Sequence, residues 1–197
     1  MERDRMRKLT YFIGATIDGF IADRDGGYDF FPVGEDVVAH LVAEYPETLP
    51  THLAPHMGVG PDTEFRHFDT VVMGRATYEP GMREGFANPY GHLRSYVVTE
   101  TITESPDPAV TLIAGDPIAK VRELKAEPGG KGIWLAGGGR LAGSLIDEID
   151  ELVIKTYPVL IGSGIPMMSG VFGAHAFTHT GGTVLAGGTS VATYRRT

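Results

Sequence analysis

The chain has 197 residues, 42% of them hydrophobic, which is enough for one sizeable core, and no stretch reads as an interdomain linker, so a single domain over 1–197 is expected. The formal charge of -8, from 25 acidic against 17 basic residues, argues against a nucleic-acid partner, which needs clustered Lys and Arg. Cysteine is absent, which excludes disulfides, thiolate catalysis and Cys-ligated zinc; the charged residues 1–8 lack a signal-peptide pattern and no apolar run reaches bilayer length, so a soluble, cytoplasmic protein with no membrane partner is expected.

In chain order, LTYFIGA (9–15) is an apolar run closed by the turn formers Asp18 and Gly19, and it reads as a buried first strand. Over 35–45, Val37, Val38, Leu41, Val42 and Tyr45 recur at helical spacing, predicting an amphipathic helix that Pro46 and Pro50 end. The stretch 49–67 carries three prolines and no period, and reads as an irregular excursion over the surface, of the kind that often lines sites. His52 and His56 lie four apart within it, but Pro50 and Pro55 disfavour a helix and no third ligand is near, so no metal site is expected.

DTVVMG (69–74), SYVVT (95–99) and VTLIA (110–114) are short, Val- and Ile-rich runs that read as buried strands. Asp116 as N-cap and Pro117 at the first helical position open a helix with Ile118, Val121 and Leu124 on one face, closed at Gly129 and Gly130. IWLA (133–136) is a strand, with Trp134 a core residue; GGGRLAGSLI (137–146) turns into a helix; LVIKTYPVLIG (152–162) is a strand again. Strands alternating with helices predict an α/β fold, a three-layer α/β/α sandwich on a mainly parallel sheet. FTHTGGTVLAGGTSVATYR (177–195) has strand-like runs, Gly pairs and no helix, predicting an antiparallel C-terminal hairpin on the sheet edge.

Two junctions from strand to helix are glycine-rich: Gly74-Arg75-Ala76-Thr77 after DTVVM, and Gly137-Gly138-Gly139-Arg140-Leu141 after IWLA. Glycine lets backbone approach a ligand closely, and N–H groups at a helix start attract phosphate. Arg75 and Arg140 add positive charge there, although glycine after a parallel strand also serves helix–strand packing. Gly137, Gly139 and Ala142 fit G-x-G-x-x-A, but the following strand KTYPVLIG ends without the acid that the ordinary dinucleotide fingerprint requires, and there is no P-loop.

ATIDGFIA (15–22), FDTVVMGRATYE (68–79), YVVTET (96–101), IWLAGGGRLAGSL (133–145) and IDELVIKTYPVLIGSGIP (149–166), in this order, resemble the RibD C-terminal, dihydrofolate reductase-like family over nearly the whole chain. The resemblance implies an NADPH-dependent reductase acting on a small, heterocyclic, pterin- or pyrimidine-like substrate, with a homodimer as its assembly. It implies that Ala15, Ile21 and Ala22 flank the nicotinamide, that Gly74, Arg75 and Thr77 hold phosphates, that Thr99 and Thr101 lie beside the adenosine phosphate, and that Gly138, Gly139, Arg140 and Leu141 form the diphosphate turn. Hydroxyls, backbone N–H groups and guanidinium are the donors that phosphate oxygens need. Glu100, between the two threonines, departs from this pattern, because a carboxylate there repels a 2'-phosphate.

On the substrate side, Asp36 lies five positions beyond Phe31, similar to the aromatic-to-acid spacing of dihydrofolate reductase; Glu35 and Asp36 also suit a helix N-terminus in their own right. Asp18 is either a turn residue or faces the pocket. Alternation along LVIKTYP places Val153, Lys155 and Tyr157 on one face, where a buried lysine needs a partner. The proton donor is left open among Asp36, Lys155 and a bound water. Two alternatives stand beside the reductase: a nucleotide-binding module of the same fold without turnover, and a riboflavin-pathway reductase of a phosphorylated ribosylamino-pyrimidine.

Overall fold

The computed structural model describes residues 6–170 and 172–197, so most of the charged N-terminal stretch, residues 1–5, lies outside it. The chain runs β1 (Leu9–Thr16), β2 (Phe20–Ala22), α1 (Glu35–Glu44), β3 (Phe68–Gly74), α2 (Arg75–Arg83), β4 (Arg94–Val98), β5 (Val110–Ile113), α3 (Pro117–Ala126), β6 (Gly132–Gly137), α4 (Gly139–Ser144), β7 (Glu151–Tyr157), β8 (Ile165–Pro166), β9 (Phe177–Val184) and β10 (Ser190–Arg196). Eight strands form one sheet in the order β5-β4-β3-β6-β1-β7-β10-β9, while β2 and β8 pair separately. The ladders from β5 across to β7 are parallel; β10 pairs antiparallel with both β7 and β9, so the C-terminal hairpin forms the sheet edge.

The two-residue period of β1 divides the core. Leu9 and Tyr11 point into a cluster with Val72, Ile133 and Leu135, closed by Val121 and Leu124 of α3, by Leu141 of α4 and by Leu145 just after it. Phe12 points the other way, among Val71, Met73, Trp134, Val153 and Tyr157, closed by Val37 and Leu41 of α1 and by Tyr78 of α2. The architecture is therefore a three-layer α/β/α sandwich, in which each fully buried Leu, Ile or Val contributes roughly 1.5–3 kcal/mol. Trp134 is a core residue, and its indole N–H donates to Phe12 O at 3.1 Å.

Local signals explain most element boundaries. Asp116 caps α3, its carboxylate accepting from Ile118 N–H at 2.8 Å and Ala119 N–H at 3.3 Å. β7 stops at Tyr157 rather than running on to 162, because Pro158 has no N–H to offer a ladder. The turn of the hairpin falls at Gly187 and Gly188, whereas Gly181 and Gly182 lie inside β9.

The stretch 49–67 runs mostly over the surface, as its residues predict, but is pinned to the core at three points. Leu49, Ala54 and Val59 are core residues, and just before them Glu47 is fully buried, its Oε1 accepting from the N–H groups of His67 at 2.6 Å and Phe68 at 3.0 Å. That carboxylate fixes where the segment re-enters the sheet at β3. No helix among the described residues is long and apolar enough to cross a membrane.

Candidate active site

After β3 the chain continues outward to β4, whereas after β6 it passes over β1 to β7. Neighbouring strands whose connections leave in opposite directions open a crevice at their carboxyl ends, the usual ligand position in a parallel sheet. Both glycine-rich junctions stand at that crevice. A Cβ on Gly74 would lie 3.7 Å from both Gly137 O and Gly138 N, so the two turns abut. Gly137 has φ 120°, which L side chains rarely adopt, and is joined to Gly138 by a cis peptide bond.

Neither helix start at the crevice is capped by a side chain, so the first-turn N–H groups of α2 face outward without partners in the helix. A Cβ on Gly138 would lie 3.7 Å from Thr77 Oγ1 and 3.9 Å from Ile21 Cδ1, filling a cradle that glycine leaves between the threonine hydroxyl and the isoleucine side chain. Arg75, the first residue of α2, is half exposed and pairs with Glu79 at 3.0 Å. A backbone cradle with a hydroxyl, a guanidinium and uncapped N–H groups fits the diphosphate of a dinucleotide.

The other sequence candidates are distributed around it. Ala15 and Ala22 are buried, and Ile21 is half-buried against Gly138. Leu141 packs into the core under α4, and Arg140 is exposed. Gly139 packs on the backbone at Pro166 and accepts at its carbonyl from Ser169 N–H at 3.0 Å. Thr99 is buried at the end of β4, its hydroxyl accepting from the N–H groups of Thr101 at 3.2 Å and Ile102 at 3.0 Å; Glu100 and Thr101 are exposed.

A second group lies on the α1 side of β1 and β7. The rings of Phe31 and Tyr157 have centroids 4.7 Å apart, and Lys155 Nζ stands 4.7 Å from the centroid of Phe12. A Cβ on Gly14 would lie 2.9 Å from Tyr157 Cε2 and 3.8 Å from Lys155 Cε, so the missing side chain at Gly14 makes room for both. By surface area Lys155 is only partly buried, yet its ammonium lies deep among protein atoms, and desolvation pushes it down to about 8. Burial also raises the Tyr157 hydroxyl.

Two acids from the sequence reading hold loops together. Asp36 Oδ2 accepts from Gly187 N–H at 2.7 Å, tying α1 to the turn of the C-terminal hairpin. Asp18 accepts from the Thr16 hydroxyl at 2.5 Å, from Ile161 N–H at 3.2 Å and from Gly162 N–H at 2.7 Å, bonds that hold its carboxyl below the usual carboxylate range, the Thr16 hydroxyl foremost. Phe12 and Gly14 were not singled out in the sequence, although they alternate with Ile13 on the face that also carries Lys155 across the ladder. No group of three or more metal-ligating side chains occurs among the described residues, and the His52 ring stacks on Phe86 at 3.6 Å. A cavity of about 480 Å³ opens at the opposite, amino-terminal edge of the strands, lined by ion-paired residues such as Lys8 and Glu151. The glycine turns and the aromatic group lie away from it.

The family model of the RibD C-terminal domain matches residues 7–180. The chain is similar to the uncharacterized protein YwjB of Bacillus subtilis, 32% identical over 163 residues that cover 82% of each chain. Among solved structures it resembles a putative riboflavin biosynthesis protein from Shewanella sp. PV-4, with a TM-score of 0.68 and 26% identity over 96% of this chain and 99% of that one. It shares its fold with a dihydrofolate reductase from Enterococcus faecalis complexed with NADP(H), with a TM-score of 0.60 and 16% identity over 96% of each. The chain belongs to the RibD C-terminal domain family, built on the dihydrofolate reductase-like fold.

Proposed function

We propose that the protein is an NADPH-dependent reductase of a small, flat, pterin- or pyrimidine-like substrate. The observation that carries this is the abutment of the two glycine turns, with Thr77 and Arg75 beside them, at the point where the sheet reverses its connections. The similarity to a riboflavin biosynthesis protein and to an NADP(H)-bound dihydrofolate reductase supports the same conclusion.

The first-turn N–H groups of α2, the Gly138 cradle, the Thr77 hydroxyl, Arg75 and Arg140 would hold the diphosphate side of the cofactor, with Thr101 toward the adenosine. Ala15, Ile21 and Ala22 would bound the nicotinamide, which supplies the hydride when bound. Phe31 and Tyr157 orient a flat ring, while α1 keeps water from that face. Lys155 is the favoured proton holder, since its ammonium sits near its own titration at working pH and Asp36 is engaged by Gly187.

Titration of the purified protein with NADPH and with NADH, followed by nicotinamide fluorescence, tests the proposal. NADPH binding that weakens about tenfold in Arg75→Ala, a loss of about 1.4 kcal/mol, is expected. Binding of neither nucleotide sinks it. The Shewanella relative favours a second reading, reduction of a phosphorylated ribosylamino-pyrimidine; NADPH oxidation with that compound, and not with dihydropterins, would select it.

A further inference from the structure

The cavity of about 480 Å³ at the amino-terminal edge of the strands is lined by Lys8, Arg66, Lys131 and Arg195, and Glu151 is the one carboxylate among the described residues that line it. Lys8 precedes β1, Arg66 precedes β3, Lys131 precedes β6, and Arg195 lies near the end of antiparallel β10, opposite Glu151 of β7. These strands are neighbours, in the order β3-β6-β1-β7-β10, so the topology gathers onto one rim cations that are far apart in sequence. In a chain with 25 acidic and 17 basic residues, composition alone would place acids there.

Structural duties do not consume these charges. A further cation of the lining, Arg7, is buried and matched: together with Arg94 it balances Asp69 and Glu127. Glu151 is shared by Lys8 at 2.7 Å and Arg195 at 3.4 Å, one carboxylate between two cations. Arg66 donates one N–H to Ala43 O at 2.8 Å, at the end of α1, and keeps its other donors. Among the described residues, neither Arg66 nor Lys131 forms an ion pair. Between the cations the walls carry the hydroxyls of Thr10, Thr180 and Thr193, and the Tyr45 ring, stacked on His67 at 4.6 Å, closes one side. A concave surface lined by one sign of charge concentrates counter-ions, and guanidinium, ammonium and hydroxyl donors suit phosphoryl oxygens. The volume is that of a small-molecule site.

We infer that this rim is a second ligand site, which takes a small anion carrying two or more phosphoryl charges. It is distinct from the cofactor crevice. Lys131 and Gly137 stand at opposite ends of β6, which at about 3.3 Å per residue keeps them roughly 20 Å apart. A nucleotide at the glycine turns and an anion at the rim can therefore be bound together, and the rim is readable without turnover.

Inorganic pyrophosphate is titrated into isotope-labelled protein at constant ionic strength and followed by amide NMR, with sulfate as a compact dianion and ADP as a diphosphate that carries a base. Pyrophosphate is expected to shift the amides of Lys8, Arg66, Lys131 and Arg195, with saturating NADPH as without it, and to bind there more tightly than sulfate. Lys131→Gln and Arg195→Gln, both at exposed positions, should each weaken it about three- to fivefold, and together at least tenfold. Glu151→Gln, which removes the competing carboxylate, should tighten it about threefold. Tighter binding of ADP than of pyrophosphate at the rim would identify the ligand as a nucleotide, and equal binding as a phosphate chain alone; both support the site. Thermal melting of each variant separates loss of the site from loss of the fold. Shifts confined to α2 and the 137–139 turn, sulfate bound as tightly as pyrophosphate, an affinity indifferent to the double change in folded protein, or no binding would each overturn the inference. Failure of NADPH to bind would remove the reductase reading and leave the rim to be read by itself.

Discussion

Gly139 at the start of α4 lies so close to Pro166 that a Cβ there would stand 2.1 Å from the Pro166 carbonyl oxygen. One turn on, a Cβ on Gly143 would stand 1.7 Å from Ser169 O, so α4 is pressed against the backbone of 165–170 along its whole length. Gly139→Ala must push these segments apart by more than an ångström, which overpacks an interface made of backbone. A destabilisation of about 3 kcal/mol is expected, lowering Tm by roughly 6–12 °C. Thr77→Val makes the opposite test, since it keeps the shape and removes only the hydroxyl beside Gly138. It should leave Tm within a few degrees while weakening NADPH binding about tenfold. If Gly139→Ala melts like wild type, the tight approach of α4 is wrong.

Lys155 links this site to stability through pH. Desolvation lowers its folded value to about 8, so the unfolded chain, with the ordinary lysine value, holds that proton more tightly. Below pH 8 both states are protonated and the folded state bears the full cost of the enclosed ammonium. Between pH 8 and about 10.5 the unfolded state carries the extra proton, and this contribution raises stability as pH rises. Discounted for the solvent contact that the side chain keeps, the cost is about 1–3 kcal/mol. Lys155→Met should therefore be more stable than wild type at pH 7, with the difference shrinking as pH approaches 10. Urea unfolding of the pair at pH 7, 8.5 and 10 measures it; a constant difference across that range would contradict the lowered value.

Asp36 is expected to act on the hairpin. Its hydrogen bond to Gly187 N–H is a bond between a carboxylate and a backbone donor at a half-exposed site. Asp36→Ala should cost about 1–2 kcal/mol and, more specifically, speed amide exchange at Gly187 and its neighbours before the rest of the sheet is affected. Uniform loss of protection throughout β1 and β7 would place its role elsewhere.

These residues also mark where sequence is legible. The alternation of LTYFIGA, the helical spacing of Val37 and Leu41, and the Asp116-Pro117 start each carry a local physical cause, and each element stands where that cause puts it. The burial of Leu49, Ala54 and Val59 has no period to announce it, because the segment is fixed by Glu47 reaching the backbone of β3. β2 and β8 are three and two residues long, too short for any pattern to accumulate. In the site, the glycine turns were visible because they are local, whereas the role of Asp36 depends on Gly187, 151 residues away. An aromatic-to-acid spacing cannot encode where the acid's partner will be.

The ion pair of Arg75 with Glu79 at 3.0 Å, one turn apart on the exposed face of α2, sets a last expectation about the cofactor. Such a surface pair contributes only about 0.3–0.5 kcal/mol to the helix, so breaking it scarcely alters stability. It does draw the guanidinium toward a carboxylate that a bound phosphate must share or displace. At about 4 Å in water a unit charge is worth about 1 kcal/mol, so Glu79→Gln should tighten NADPH binding two- to fivefold. The gain should shrink as salt is raised and should be smaller for NADH if Arg75 addresses the extra phosphate. In Arg75→Ala the same Glu79→Gln change should bring less than half of that gain, because the guanidinium it releases is no longer there. Equal tightening of both nucleotides, with or without Arg75, would mean that Glu79 acts only through the general acidity of the chain, and Arg75 would lose its place at the phosphate.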